Sequence, residues 1–385
     1  MKIALIIGEF PPFCEGGLGR YGENISQNLV ADGHELWVFT INPGNLALEE
    51  GEPPLKILRP TSLWLRIVLK SKLRTLFKFL HFFNIVLFNS YAYRLLHKIN
   101  QKNQFDLVVI HDWACCPTGI SCATKMKIPV VFHVHTTELT MTPSGREKMP
   151  PWEIIASWER DLAALARKII VPSMKLKELL VENGWNHEKI DVVHHGYVPV
   201  TNGLLIDKAL EIRQRLQLTG ADQILLFVGR LIQTKGIYEL IKAIPKVIQE
   251  FPRAKLIIVG TGENESIATL IHQSGLSKQI LVYYKFLDFS EVIGHYQLAD
   301  ICVFPSSYEP FGLVALEAMS LGKAVILGDG YSDIFAGEPG QPAAFYVKSA
   351  ADDIAEGILK LLRDPQMMSR MGNQAREYVI NNISW

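Results

Sequence analysis

The chain has 385 residues, of which 48% are hydrophobic and 20% charged, and its 39 Lys and Arg balance its 39 Asp and Glu. This composition predicts a globular protein with two domains, and the lack of a global positive charge argues against nucleic acid as a partner. The five cysteines lack the spacing of a metal site, and their odd number without a signal peptide indicates the cytoplasm.

The first predicted strand, Lys2–Ile7, is followed by a loop and then by residues 17–22, which read GLGRYG and match the pattern GxGxxG. A dinucleotide fingerprint needs these glycines directly after the first strand and an acidic residue at the end of the second. Here residues 8–16 intervene, and the second predicted strand, Glu35–Thr40, ends without a carboxylate. We therefore expect a helix start that binds an anion through backbone N–H groups, and not an NAD site.

Between residues 53 and 105 the chain carries Lys and Arg but no Asp or Glu. Four of these cations recur at every fourth residue: Arg66, Lys70, Arg74 and Lys78. Two interpretations remain open: a helix packed on its domain with a basic edge in water, or contact with an anionic membrane surface through 63–88. No apolar run reaches the roughly 18 residues of a spanning helix. The expected location is the cytoplasm, either free or peripheral at the inner face of the membrane.

Short apolar runs alternate with helical stretches along the whole chain, which is typical of parallel strands in an α/β fold. The predicted strands of the first half are 106–110, 129–134, 168–171 and 190–193, and those of the second half are 224–229, 254–260, 280–284, 299–305 and 324–328. A polar stretch at 196–222 separates the two sets, so two doubly wound domains are expected. Ligands of such folds bind at the carboxyl ends of the strands.

Polar side chains follow two of the strands predicted in the first half. His111, Asp112 and Trp113 follow one of them, and His133 and His135 end the next, on one face of that strand. Histidines at strand ends are satisfied core residues about as often as functional ones. The residues by themselves leave both interpretations open.

In the second half, Arg230 follows a predicted strand and Lys235 precedes a predicted helix, Ile237–Ile244. Two cations flanked by glycines at a strand end suit a diphosphate, although a solvated loop is the commoner role of a lone Arg or Lys. Glu309 and Glu317 are eight residues apart, about 12 Å along a helix. One carboxylate can therefore meet a reacting sugar while the other holds a ribose.

The helix that carries Glu317 begins near Gly312 and Leu313, whose backbone N–H groups are expected to face phosphate oxygens. An exposed helical glutamate is the ordinary interpretation of Glu317. It stands, however, among apolar residues, where a carboxylate without a partner would be costly.

Residues 309–317, EPFGLVALE, resemble the E-x7-E motif of retaining glycosyltransferases with the GT-B fold, in particular glycosyltransferase family 4, which includes glycogen and sucrose synthases. Four further segments resemble the same family: FPPFCEGGLG (10–19) its glycine loop, FVGRLIQTKG (227–236) its diphosphate clamp, VVHHGY (192–197) the approach to its interdomain crossover, and VGTGE (259–263) a turn lining the nucleotide. The resemblance covers nearly the whole chain. It implies an α/β fold of two doubly wound, Rossmann-like domains that face each other across a cleft.

The resemblance also implies a role for each candidate residue. Arg230 and Lys235 would bind the donor diphosphate, Glu317 the ribose, Glu309 the transferred sugar, Gly17 the phosphate from the amino-terminal domain, and His135 the region of the sugar 6-hydroxyl. Gly262, Phe311, Gly312 and Leu313 would complete the donor site.

The activity implied is retaining transfer of a sugar from a UDP-, GDP- or ADP-sugar to a glycan, a lipid-linked acceptor or a small molecule. The sequence contains no D-x-D motif. We expect no metal and no cofactor, because the two cations and the helix dipoles would neutralise the leaving diphosphate. A GT-B sugar-nucleotide epimerase or phosphorylase, or a non-catalytic relative, is the alternative.

The expected domains are 1–198, on the acceptor side, and 199–385, which binds the nucleotide sugar, with a last helix cut short at Trp385. The chain departs from the family in one turn near the donor site. Where the family commonly has a G-G-x-P-E-like turn after E-x7-E, residues 329–333 read DGYSD.

Overall fold

The computed structural model describes residues 1–14, 16–61, 78–138, 150–197, 206–285, 287–338, 341–383 and 385. The chain divides into two compact units, Met1–His194 and His195–Trp385. The predicted boundary between residues 198 and 199 falls outside the described residues and stays a prediction.

The first unit is an α/β sandwich around one sheet. Its strands are β1 (Lys2–Ile7), β2 (Glu35–Thr40), β3 (Glu49–Glu50), β4 (Leu55–Leu58), β5 (Leu107–His111), β6 (Val130–His133), β7 (Lys168–Val171) and β8 (Ile190–Val192). They are ordered β3-β4-β2-β1-β5-β6-β7-β8, and all pairs are parallel except β3 with β4. Its helices are α1 (Gly17–Ala31), α2 (Lys78–Asn103), α3 (Cys116–Ser121), α4 (Pro150–Leu165) and α5 (Met174–Glu182).

Strand β1 shows why the strands of this sheet appear in the sequence as continuous apolar runs. Ala4 and Ile6 lie in the core on one face of the sheet, whereas Ile3, Leu5 and Ile7 lie in a second core on the other face. Successive side chains of a strand point to opposite faces. Both faces are therefore buried, as is typical of parallel sheets covered by helices.

The second unit repeats this architecture. Its helices are α6 (Ile206–Arg215), α7 (Ile237–Glu250), α8 (Asn264–Ser274), α9 (Phe289–Leu298), α10 (Leu313–Ser320), α11 (Ala351–Arg363) and α12 (Pro365–Asn382). Its strands are β9 (Gln223–Val228), β10 (Ala254–Val259), β11 (Ile280–Tyr283), β12 (Ile301–Phe304), β13 (Ala324–Gly328), β14 (Gly337–Glu338), β15 (Gln341–Pro342) and β16 (Phe345–Val347). Six strands form a parallel sheet ordered β11-β10-β9-β12-β13-β16, and β14 pairs antiparallel with β15. The predicted α/β class with two parallel sheets is confirmed.

Helix α7 is longer than the predicted Ile237–Ile244, because it continues through Pro245 to Glu250. An interior proline removes one helical hydrogen bond and costs about 3 kcal/mol. The buried face of the helix, which runs from Ile237 to Val247, outweighs this cost because it packs into the core on both sides of the proline.

The basic segment lies mostly outside the described residues. Three of the four regularly spaced cations fall within 62–77, and the fourth, Lys78, is the first residue of α2. The cationic stripe and the membrane contact through 63–88 stay predictions. Among the helices that the structure describes, none combines the length and the apolar character that a membrane span requires.

Candidate active site

The carboxyl ends of four neighbouring strands, β10, β9, β12 and β13, carry loops that are joined through the backbone. The N–H of Leu231 donates to Thr261 O (2.9 Å), and the N–H of Glu263 donates back to Leu231 O (2.8 Å). The N–H of Ser307 donates to Thr234 O (3.0 Å), and the N–H of Glu309 to Gly330 O (3.3 Å). These loops therefore form one continuous platform, which we call the loop platform (residues 229–236, 260–263, 305–312 and 329–333).

Two glycines let the chains of the loop platform approach closely. Gly236 has φ +71°, and a Cβ there would lie 2.0 Å from Pro305 O. Gly262 has φ +156°, and its Cβ would lie 2.5 Å from Leu231 O. Only glycine fits at both positions, since the backbone conformation and the space each exclude a side chain.

Lys235 and Glu309 form an ion pair in the loop platform. Nζ of Lys235 is 2.6 Å from Oε2 of Glu309, and the two side chains are only 17% and 12% exposed. Arg230, by contrast, is exposed one residue after Gly229. The structure thus brings Lys235 and Glu309 together. Arg230 and Lys235 both lie in the loop that follows strand β9, the first exposed and the second paired.

Gly312 precedes helix α10 with φ +97°, so Leu313 is the first helical residue. A Cβ on Gly312 would lie 2.2 Å from the ring of Tyr331, which fills that space. Phe311 is buried, and its ring centroid lies 4.6 Å from that of His195. Because Gly312 has no side chain to cap the helix, backbone N–H groups of the first turn are available to an anion.

Glu317 lies in the middle of α10 and is buried. The hydroxyl of Tyr296 donates to its Oε2 (2.9 Å), and Ser320 Oγ donates to its backbone oxygen (2.9 Å). Burial, together with the nearby Glu317 charge, raises the pKa of Tyr296 well above its usual range. Tyr296 therefore stays protonated and serves as a donor to this carboxylate.

Gly17 begins helix α1 in the first unit, and the following glycines of the GxGxxG match lie inside the helix. The preceding loop is held at two points. The N–H of Gly16 donates to the Glu9 carboxylate (3.0 Å), and the buried Arg59 donates from Nη2 to Pro11 O (2.7 Å). The amino end of α1 is thus fixed next to the end of β1.

His135 lies within a group of three imidazoles that we call the histidine cluster (His111, His133 and His135). Nδ1 of His111 and Nε2 of His135 are 2.9 Å apart, and the rings of His133 and His135 stack with their centroids 4.4 Å apart. The hydroxyl of Tyr21, from α1, lies 3.3 Å from Nδ1 of His133. Burial lowers the pKa of His133 to about 3, so this ring is neutral at physiological pH.

Asp112 fixes the backbone of the histidine cluster. Its Oδ1 accepts hydrogen bonds from the N–H groups of His135 (2.7 Å) and Thr136 (3.1 Å). Burial raises the pKa of Asp112 to about 7, although these two hydrogen bonds act in the opposite direction. The loop after β6 is therefore held by a largely buried carboxyl group at the end of β5.

Three neighbours of the predicted residues were not expected from the sequence: His111, Tyr296 and Tyr331. His111 was visible as a strand-end histidine, but its contact with His135 depends on the pairing of β5 with β6, in which His111 is opposite His133. Nothing in the pattern around Tyr296 points to Glu317, which lies 21 residues further along.

Known families match both units of the chain. The model of Glycosyltransferase Family 4 matches residues 15–199, and that of Glycosyl transferases group 1 matches residues 208–378. An uncharacterised glycosyltransferase of Methanocaldococcus jannaschii is 27% identical over 397 residues, covering 100% of this chain and 95% of the relative. A glycogen synthase of Mycobacterium tuberculosis is 26% identical over 404 residues, covering 100% of this chain and 92% of that enzyme.

Solved structures show the same fold. Sucrose-phosphate synthase from Thermosynechococcus elongatus superposes with a TM-score of 0.81 at 23% identity, covering 100% of this chain and 95% of that one. Anabaena HepE in complex with UDP and glucose (TM-score 0.73, 16% identity) and the catalytic domain of starch synthase IV from Arabidopsis thaliana bound to ADP and acarbose (0.76, 13%) each cover 100% of this chain and 96% of theirs.

These structural likenesses define the fold as GT-B, the fold of sucrose-phosphate synthase and starch synthase. Together the two family models match most of the chain, and with these structures they support a GT-B glycosyltransferase that is similar to family 4. The resemblance to GT-B glycosyltransferases that the sequence predicted is confirmed.

Proposed function

We propose that this protein is a retaining, metal-independent hexosyltransferase that uses a nucleoside-diphosphate sugar as donor. The observation that carries the proposal is the Lys235–Glu309 pair in the loop platform, which also contains the exposed Arg230 and leads into the amino end of α10. Cations and oriented N–H groups stabilise the negative charge that develops on a departing diphosphate. In this proposal they do so without a metal ion.

The remaining donor contacts follow along α10. Gly312 and Leu313 present N–H groups to the diphosphate, and Glu317, held by Tyr296, accepts hydrogen bonds from the ribose hydroxyls. Glu309 binds the transferred sugar, and Phe311 and Gly262 complete the walls of the donor site. The acceptor attacks the face from which the nucleotide leaves, and a donor phosphate oxygen takes its proton, so the anomeric configuration is retained.

In the first unit, Gly17 contributes the amino end of α1 to phosphate binding, and His135 contacts the sugar near its 6-hydroxyl. The geometry supports both assignments by preorganisation, since each group is fixed by neighbouring hydrogen bonds before a ligand binds.

The donor class is supported by the solved structures of similar fold, in which HepE is in complex with UDP and glucose and starch synthase IV is bound to ADP and acarbose. The full chain should be screened by thermal shift against UDP, GDP, ADP and their sugars, because a bound donor raises the melting temperature with the logarithm of its concentration over Kd. Transfer by the best donor is then followed by NMR of the product anomer. An inverted product, or no transfer with any donor that binds, would contradict the proposal.

Chelation is expected to leave the activity unchanged. Arg230, Lys235 and the helix dipole of α10 replace a metal ion in the proposed site, so the rate after dialysis against EDTA should stay within about twofold of the untreated rate. Loss of transfer that Mg²⁺ or Mn²⁺ restores would refute the metal-free mechanism.

Replacing Tyr296 with phenylalanine is expected to raise KM for the donor about tenfold with little change in kcat. The substitution removes one hydrogen bond to a buried carboxylate, which costs about 1–3 kcal/mol. A loosened Glu317 weakens ribose binding equally in the ground and transition states. Tyr378→Phe is the matched control, since its hydroxyl donates to Ile334 O (2.7 Å) away from Glu317. Equal KM values for the two variants would argue against the ribose role.

We propose a saccharide or lipid-linked acceptor, and the exposed Phe83 and Val86 of α2, next to the basic segment, favour a lipid surface. Co-sedimentation with vesicles is expected to require anionic lipid and to weaken with salt, because each cation near the leaflet contributes about 1 kcal/mol. Replacing Arg66, Lys70, Arg74 and Lys78 with glutamine should abolish binding. If wild-type protein does not bind anionic vesicles at low salt, the four cations form only the solvated edge of a helix.

A further inference from the structure

The histidine cluster has a second property besides the contact proposed for His135. Within the described part of the chain, one ring nitrogen from each of His111, His133 and His135 can be chosen so that all three lie within 4.8 Å of one another. Imidazole nitrogens are the commonest protein ligands of Zn²⁺, Co²⁺, Ni²⁺ and Cu²⁺.

The distances match a metal ion closely for one pair of ligands. Nδ1 of His111 and Nε2 of His135 are 2.9 Å apart and face each other. Imidazole nitrogens lie about 2.0–2.1 Å from a bound transition metal, so two ligands stand about 2.9 Å apart at a right angle and about 3.4 Å apart in a tetrahedral site. The rings of His111 and His135 therefore have to turn so that their lone pairs meet at the ion and not at each other. His133 has to turn about its side-chain bonds to bring its nitrogen into the same shell.

The surroundings of the cluster supply burial and a nearby carboxyl group. His111 and His133 are buried, and the Tyr21 hydroxyl contacts His133 Nδ1 at 3.3 Å. Asp112 holds the backbone of His135 and provides a carboxyl group that can offset a cation's charge. When the ion binds, the hydrogen shared by the two facing nitrogens moves to the outer nitrogen of one of the rings, so both imidazoles remain neutral.

We propose that the histidine cluster is a binding site for one divalent transition metal, for which Zn²⁺ and Co²⁺ are the probes. The ion takes no part in transfer, whose charge is neutralised in the other unit. Because it occupies Nε2 of His135, metal binding withdraws that ring from the sugar and inhibits the enzyme, a consequence that rests on the proposed function.

For the binding measurement, the full chain is first stripped of metal with a chelator, then incubated with excess Zn²⁺ or Co²⁺, and finally freed of unbound metal by gel filtration. Wild-type protein is expected to retain one equivalent of Zn²⁺, and one equivalent of Co²⁺ should give visible d–d absorption. His133→Phe and His111→Phe keep a ring in the packed cluster but remove its nitrogens, and each is expected to weaken binding at least about tenfold. His272→Phe is the control, because His272 is exposed on α8. Circular dichroism and melting temperature confirm that the variants fold.

Several results would overturn the site. They are wild-type protein without a bound equivalent, undiminished binding in both folded cluster variants, and sulfur-to-cobalt charge-transfer absorption, which would assign the ion to cysteine. In an active preparation, saturating Zn²⁺ is expected to lower transfer at least about tenfold, EDTA should restore it, and His133→Phe should resist. One bound Zn²⁺ with unchanged transfer would support the metal site and remove His135 from the sugar contact, so the two ideas fail separately.

Discussion

Replacing Lys235 with alanine is expected to lower kcat at least about a hundredfold. A cation aimed at the charge that develops in the transition state contributes on the order of 2–4 kcal/mol in a site where water is scarce. Lys235 is largely buried, and its ion pair with Glu309 (2.6 Å) holds it in the loop platform until a diphosphate replaces that partner. Arg230→Ala should have a similar effect on kcat/KM, which steady-state kinetics with the best donor measures.

Lys242→Ala is the matched control for Lys235. It lies two turns further along the same segment and forms an exposed ion pair with Glu239 at 2.6 Å. Its loss should change stability by no more than about 0.5 kcal/mol and leave transfer intact. Since Lys235→Ala also leaves the Glu309 carboxylate unpaired, the melting temperature of the variant is measured beside its rate, and a folded variant with a low rate identifies lost catalysis. A value of kcat/KM near wild type in both Lys235→Ala and Arg230→Ala would remove the two cations from the site.

Replacing Gly236 with alanine is expected to destabilise the second unit by at least about 3 kcal/mol and to reduce transfer more than tenfold. The new Cβ would lie 2.0 Å from Pro305 O and 2.7 Å from Pro305 C, so the backbone of one loop has to move. That movement separates Lys235 from Glu309, which sit on the two loops in contact. Calorimetry and initial rates measure the two effects.

Gly275→Ala isolates the cost of the backbone conformation. Gly275 has φ +72°, against +71° for Gly236, but no other described atom lies within 4 Å of its Cβ position. It should cost only the roughly 1–2 kcal/mol of a left-handed alanine. If Gly236→Ala is no more harmful than Gly275→Ala, the close approach of the two loops is not needed for the site.

Much of the fold could be predicted because its signals are local. The apolar runs at 168–171 and 254–260 match β7 and β10 closely, since strands buried on both faces need continuous apolar side chains. Gly17 was expected at a helix start and begins α1. The end of α7 was wrong, because a proline usually stops a helix and the buried face beyond Pro245 could not be seen without its partners.

The candidate site was predictable where the residues lie close together in sequence. Leu313 and Glu317 fall on one helix, which Gly312 directly precedes, so spacing alone suggested their arrangement. The Lys235–Glu309 pair joins residues 74 apart and depends on β9 lying beside β12 in the sheet. The order of the strands in the sheet is a property of the whole fold, and no single segment of the sequence predicts it. The functional roles of these residues stay predictions.

In the proposed function, the Lys235–Glu309 ion pair bears on turnover as well as on bond breaking. An arriving diphosphate does not meet a bare cation, because Lys235 already has a carboxylate partner 2.6 Å away. Binding therefore exchanges one anionic partner for another, and the net gain is smaller than the attraction of an isolated charge pair. When the nucleoside diphosphate departs, the Lys235–Glu309 ion pair forms again, so release leaves no partly buried charge unpaired. The pair thus favours rapid product release over tight retention of the nucleoside diphosphate.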